Sequence, residues 1–208
     1  MCRMNANKKQ RMAMMNLLKN ARALLGDKRG VAALEFALIA PVMIVLYMGS
    51  VETTAGIDLN KNLGRATTMV ADLVTRQPTI TKAEITNIMD IGEAALYPYR
   101  RDTPQITITA INVSATSVAT VAWSRRKIDL TYTTPYAAGS AVALDANVLI
   151  PDTSVIRVEM KIAYVPLMAF VIKDTVTTAA GVSAVGLTMP KTSYGRVRQG
   201  KAVACSDC

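Results

Sequence analysis

The sequence predicts an α+β protein. Its parts are a long N-terminal helix, transmembrane in its first half, and a second helix packed on a small antiparallel β-sheet. Three observations lead there. Residues 31–51 form a run of 21 residues with a single charge. Residues 52–77 and 81–96 repeat apolar side chains at every third or fourth position, the period of an amphipathic helix. From about residue 104 the repeat drops to two, the period of a half-buried strand. Composition agrees: of 208 residues, 51% are hydrophobic and 19% charged, which excludes a disordered chain. There is no histidine, so imidazole acid/base catalysis and His–metal sites are excluded. Three cysteines are too few for a disulfide scaffold and cannot complete a Cys2His2 zinc site.

The leader comes first. Residues 1–30 hold eight bases against Asp27 alone, whereas residues 31–208 hold 16 bases and 14 acids. The basic character therefore belongs to a short segment and not to a folded face, which argues against nucleic-acid binding. Residues 8–25 are compatible with a basic amphipathic helix, with Met12, Met15, Leu18 and Leu25 near one face. The plainer role of this block is to hold the N-terminus in the cytoplasm. The apolar run 31–51 follows, and at about 1.5 Å per residue a helix of this length spans about 30 Å, the thickness of a bilayer core. Its far side opens with Glu52 and Asp58. Bases stay inside, so residues 1–30 are expected in the cytoplasm and residues 52–208 outside, in the periplasm of a bacterium. A secretory signal fits less well, because its apolar stretch is shorter, about 7–15 residues. Pro41 removes the bond to the Ala37 carbonyl and is expected to kink or loosen the span.

Glu35 is the costly residue of the span, since a mid-membrane carboxylate carries a penalty of about 2.5–3.5 kcal/mol by insertion scales. Near the cytoplasmic end it can snorkel to the interface; otherwise it needs a partner. Its surroundings read Lys28-Arg29-Gly30-Val31-Ala32-Ala33-Leu34-Glu35-Phe36-Ala37-Leu38-Ile39-Ala40-Pro41. A basic leader ending in Gly, then an apolar helix with Glu fifth and an aromatic sixth, resembles the type IV prepilin processing site. More narrowly the run resembles the TadE-like family, pseudopilins of the tight-adherence (Flp) pilus apparatus. The first base is Lys28 where the family pattern has Arg. Looser likeness lies in Val121-Ala122-Trp123-Ser124, in Ala163-Tyr164-Val165-Pro166-Leu167 and in the basic C-terminal stretch ending in cysteine.

The resemblance implies a pilin-like fold, a bacterial inner-membrane location and cleavage after Gly30 by a prepilin peptidase. The mature chain would be the 178 residues from Val31 onward. Gly30 suits the cut because glycine lets the backbone extend into a protease site. Cleavage would create an ammonium on Val31, which Glu35 of a neighbouring copy can neutralise; such a pair sets register more than stability. The processing residues are therefore Gly30, Val31, Glu35 and Phe36. Expected partners are the inner membrane, the peptidase, other pilins and pseudopilins, and pilus assembly proteins. Neither nucleic acid nor a small-molecule substrate is expected.

The exported part, residues 52–208, starts by continuing the helix. Leu59, Leu63, Ala66, Val70 and Leu73 form one apolar stripe, and Gln77-Pro78 stops it. Gly56 and Gly64 weaken the helix inside that stretch. Thr81-Lys82-Ala83-Glu84 is a capping box that opens a second helix carrying Ile85, Ile88, Met89 and Leu96, which Tyr97-Pro98-Tyr99 closes. About four strands are expected. Residues 105–109 alternate, with a shifted register or bulge near Ile111. Val118 to Trp123 is another run, followed by Ser124-Arg125-Arg126-Lys127 as a solvated turn or exposed strand end. Ile156, Val158, Met160, Ile162 and Tyr164 alternate with Arg157, Glu159 and Lys161; residues 182–189 make the last strand. The segment 131–153 reads as a loop with a short helix at 141–149.

Little here offers chemistry. Cys205 and Cys208 close the sequence as a CxxC pair with no following helix to activate a thiol. Two thiols are half of a tetrahedral metal site. In an oxidising compartment they can close a small disulfide or link to another chain. Cys2 lies in the leader. Carboxylates show no metal-type spacing, no serine is framed as a nucleophile, and no glycine loop suits phosphate. Arg125-Arg126-Lys127 can touch an acidic polymer or lipid headgroups, but an exposed strand end is the simpler reading. No catalytic residue, cofactor or metal is expected, so the chain is read as a non-enzymatic minor pseudopilin. The rival reading is an uncleaved single-pass membrane protein with a periplasmic binding or sensing domain. A periplasmic hydrolase is weaker, for want of a catalytic set.

Overall fold

The computed structural model describes residues 30–167, 175–178, 181 and 183–208. The leader through Arg29, with Cys2 and the stretch 8–25, lies outside the described residues, as does Val182. The chain divides into two compact units, Met1–Met48 and Gly49–Cys208. Helix α1 (Val31–Thr75) supplies the described residues of the first unit after Gly30 and opens the second. It stays helical through Pro41, and neither Gly56 nor Gly64 interrupts it.

Within the second unit the apolar stripe of α1 is the heart of the core. Leu59, Leu63, Ala66 and Val70 are buried as the periodicity predicts, and the stripe continues through Ala71 and Val74, leaving Leu73 half-buried. Thr67 sits among them because its hydroxyl donates to the Leu63 carbonyl, 2.6 Å away, and so is not left unpaired. After Thr75 the chain turns through Gln77-Pro78 into a short strand β1 (Thr79–Ile80). Helix α2 (Lys82–Ala94) then starts at the capping box. The Glu84 N–H donates to the Thr81 hydroxyl at 3.2 Å, and the Thr81 N–H donates to the Glu84 carboxylate at 2.8 Å.

Five antiparallel strands form the main sheet: β2 (Gln105–Val113), β3 (Ala119–Ile128), β4 (Thr131–Thr133), β5 (Thr153–Tyr164) and β8 (Leu187–Arg196), in the order β4-β3-β2-β5-β8. Two small sheets complete it: β6 (Thr175–Thr177) with β7 (Ser183–Val185), and β1 with β9 (Ala204–Cys205) in parallel. Ala110 pairs with Trp123 but Ile111 pairs with Val121, so Ala122 is the extra residue of a bulge where the sequence predicts a shift. Ile106, Ile108, Ile156, Val158, Met160 and Ile162 join the core that holds the buried side chains of both helices.

The sheet corrects four expectations. Ser124–Lys127 is neither turn nor exposed strand end: β3 runs on to Ile128, and Lys127 is buried because two carboxylates of α2 receive its ammonium. The fifth strand, β4, is three residues long, too short to show a period. The stretch 141–149 forms no helix. Its Val142, Leu144 and Leu149 pack on Ile111, Val113 and Ala119 in a second small cluster, which needs an extended path with a turn. Finally, residues 182–189 are not one strand: Ser183–Val185 pairs with β6, and the strand that joins the main sheet runs from Leu187 to Arg196.

The two ends of the sheet are defined by its register. At one end Gln105 lies beside Ile128 and Lys161, and Leu187 lies opposite Tyr164. Helix α1 meets that end with Glu52 against Tyr164, and meets the other with Thr75 against Gly195. The intervening helix covers about 35 Å, close to the ~33 Å of a ten-residue strand such as β8. A Cβ on Gly195 would come 2.7 Å from Thr75 Cγ2, so this approach requires glycine.

Candidate functional site

The first unit contains the processing segment. Gly30 is exposed and immediately precedes α1, and among the described residues nothing beyond its own chain neighbours lies within 4 Å of where its Cβ would be. Val31 opens the helix and is 48% exposed; Phe36 is 73% exposed. Glu35 is also exposed, and among the described residues nothing pairs with it. Val31 and Glu35 are four apart, so they share a helix face. From Val31 to Tyr47 every residue is exposed except the half-exposed Ala40. Apolar side chains point in all directions around this part of α1. Among the described residues α1 is the one helix long and apolar enough to cross a membrane, and none of its apolar stretch is buried. A core helix of a soluble protein would be covered; this one is not.

Residues 30–72 match the family model described as TadE-like protein. The chain is TadE-like over this segment. No curated protein and no solved structure matches the chain. The TadE-like segment starts at Gly30 and stops three residues short of the end of α1. It therefore takes in the apolar stretch and most of the buried stripe, but none of the sheet. The looser likenesses at Val121–Ser124 and Ala163–Leu167 fall outside it.

A cluster that sequence reasoning missed lies just past the apolar stretch. The Glu52 carboxylate accepts from Arg101 Nη1 at 2.6 Å and from the Tyr164 hydroxyl, and the Leu167 backbone N–H also bonds it. Arg101 donates a second bond to the Val165 carbonyl at 3.1 Å and lies over the Tyr164 ring, 5.0 Å from its centre. Burial opposes the charge of Glu52, yet the Tyr164 hydrogen bond and the bond and charge of Arg101 outweigh it and hold the carboxyl below its ordinary pKa. Burial, then the bond to Glu52, pushes the Tyr164 phenol up to about 12. Every charge is thus used inside the cluster, which ties α1, the α2–β2 loop and the end of β5 together. The available signal was that Glu52 is the first charge after the span; nothing in the spacing identifies partners 49 and 112 residues away. Beside the cluster an apolar groove of about 550 Å³ runs along α1 from Glu52 to Asn60, walled by Leu187–Pro190.

The basic triplet Arg125-Arg126-Lys127 and the C-terminal cysteines have internal partners. Burial works against the Lys127 ammonium, but hydrogen bonds to Asp90 and Glu93 and their charges raise it above its ordinary pKa. Arg126 donates to the Thr107 hydroxyl at 3.0 Å, and Arg125 lies over Tyr132. The triplet is thus engaged within the fold, not laid out for an acidic polymer. Cys205 and Cys208 are joined as a disulfide, with Cα atoms 5.5 Å apart. Ligand-type atoms of Cys205, Asp207 and Cys208 lie within 4.8 Å of one another. The sulfurs are bonded to each other, and Asp207 accepts from the Lys82 N–H at 2.7 Å, at the start of α2. This tail is therefore a clasp: Ser206 N–H bonds the Ile80 carbonyl, and Trp123 Nε1–H bonds the carbonyl of buried Val203 at 2.9 Å.

Proposed function

We propose that this chain is a minor pseudopilin that helps assemble a tight-adherence (Flp-type) pilus and acts by assembly rather than catalysis. The observation that carries the reading is the Gly30–Val31 junction. An exposed glycine stands before an apolar helix that no part of the described chain covers, within the TadE-like segment, with an acid one turn in that has no partner among the described residues. The precursor sits in the inner membrane with its basic leader in the cytoplasm and residues 52–208 in the periplasm. Prepilin peptidase hydrolyses the Gly30–Val31 bond and leaves an ammonium on Val31. In the assembly, Glu35 of one copy neutralises that ammonium on another pilin, which removes two charges from an apolar surrounding at once and fixes the stagger between helices. Pro41 lacks one backbone donor, which leaves the helix a soft point as it moves from lipid into protein packing.

N-terminal sequencing and intact mass of protein extracted from membranes test this. In cells with the cognate peptidase the chain should begin at Val31, and Gly30→Ala should abolish the cut. A chain still beginning at Met1 in those cells would instead support an uncleaved single-pass membrane protein with a periplasmic binding or sensing domain.

A further inference from the structure

The exposed apolar side chains beyond the span are not scattered. Among the described residues after Val51, eight large ones are exposed, and five of them lie at one end of the sheet: Tyr97, Tyr99, Leu130, Leu167 and Leu187. The hairpin at the opposite end offers Val118. The crowded end is the one that meets Glu52. Leu167 bonds Glu52 through its backbone, and Tyr97 shares a cleft with Arg101, the ion-pair partner of Glu52. Leu130 tips the β3–β4 hairpin, whose Ile128 shares a second cleft with Asp102 and Lys161. Leu187 pairs with Tyr164, which is itself bonded to Glu52. Glu52 directly follows the apolar run, so whatever contacts it lies where the chain leaves the bilayer.

We propose that this end of the sheet is a membrane-surface contact: Tyr97, Tyr99, Leu130, Leu167 and Leu187 rest in the headgroup layer of the lipid bilayer from which α1 emerges. The proposal rests on reading residues 31–51 as a membrane span. Continuity with that span selects lipid as the occupant. The composition fits as well, since tyrosine with its apolar ring and polar tip concentrates at the membrane–water boundary. Arg101 and Glu52 are paired with each other and Arg100 is paired with Glu93 at 2.9 Å, so these charges enter the headgroup layer neutralised, while the exposed Asp129 and Lys161 stay in its polar, hydrated part. The contact holds the exported unit against the bilayer and keeps five apolar side chains from water until the subunit is withdrawn.

The full-length chain, with Cys2→Ser to remove the leader thiol, carries a nitroxide at one position at a time. The positions are Leu130→Cys, Leu167→Cys, Val118→Cys and, within the span, Leu38→Cys. In phosphatidylethanolamine–phosphatidylglycerol vesicles, collisions with dissolved oxygen are compared with collisions with a water-soluble nickel chelate. The expected oxygen-to-nickel ratio at 130 and 167 is several-fold above that at 118, with 38 higher still. If 38 reports lipid while 130 and 167 match 118, the surface contact is wrong and the span stands. If 130 and 167 are shielded from both reagents, another protein copy covers this end and the proposal falls. A water-like value at 38 overturns the contact together with the span.

Discussion

Glu52 shows how one carboxylate organises its surroundings. It is the first charge after the apolar run, and it accepts bonds from Arg101, Tyr164 and the Leu167 backbone. Its pKa is lowered by folding, so its contribution to stability is complete above about pH 4.3 and is lost as pH falls below that. Tyr164 has the opposite sign. Its pKa is raised, so its contribution is complete below about pH 10 and is lost as pH rises towards 12, when a phenolate would face the carboxylate. Tyr164→Phe is therefore expected to cost about 1.5–3 kcal/mol at neutral pH, the range for a hydrogen bond to a charged group. It should also remove the component that titrates near 12 from the tyrosinate absorbance of the full chain in detergent. Denaturant unfolding followed by Trp123, the single tryptophan, measures the first effect. An unchanged alkaline titration would mean that Tyr164 is not held by Glu52.

Helix α2 carries the corresponding lesson for elements. Its capping box and its buried Ile85, Ile88 and Met89 were legible in the sequence, because cap chemistry and the helical period are local signals, whereas Leu96, read as part of the helix, is buried in the turn beyond Ala94. Also legible were the likeness to the TadE-like family over the residues from Gly30, the strand ending at Tyr164 and the bulge beside Ile111. The Glu52 cluster, the Lys127 ion pairs and the clasp at Asp207 were not. Each joins residues 34 to 125 positions apart, and no spacing rule reaches so far. Charge misled in the same place: Arg125-Arg126-Lys127 looks solvated until Asp90 and Glu93 appear on the facing helix. Gly92 of α2 was another hidden constraint. A Cβ there would come 2.5 Å from Val70 Cγ2 and 3.0 Å from Met160 Cε. Val70 is β-branched and rotamer-locked in its helix, so it cannot swing away. Gly92→Ala should gain about 1 kcal/mol in helix propensity, lose more to overpacking, and leave the protein about 1–2 kcal/mol less stable in denaturant unfolding. A stabilised variant would show that α1 and α2 sit further apart.

For the whole molecule, the proposed function places the decisive interactions between copies. The first unit presents an apolar helix that is exposed on all sides and an acid with no partner among the described residues. Glu35→Gln keeps the shape and removes the charge. The expected outcome is a chain that folds and enters the membrane but is recovered with partner pilins at least several-fold less in cross-linked complexes from living cells. Wild-type levels of maturation, complex formation and surface attachment would overturn the proposed pairing with the Val31 ammonium.

The clasp also has a consequence for biogenesis. Trp123 waits for a carbonyl 80 residues downstream, and the start of α2 waits for a carboxylate 125 residues downstream. On the proposed topology, with residues 52–208 exported, the anchor is threaded before those groups emerge. For that interval α1, α2 and most of the sheet are outside with their seam unsealed, a client for whatever chaperone patrols the compartment. On that topology, locking of the unit waits for delivery of residues 203–207, and a subunit exported short of them stays tethered and unfinished.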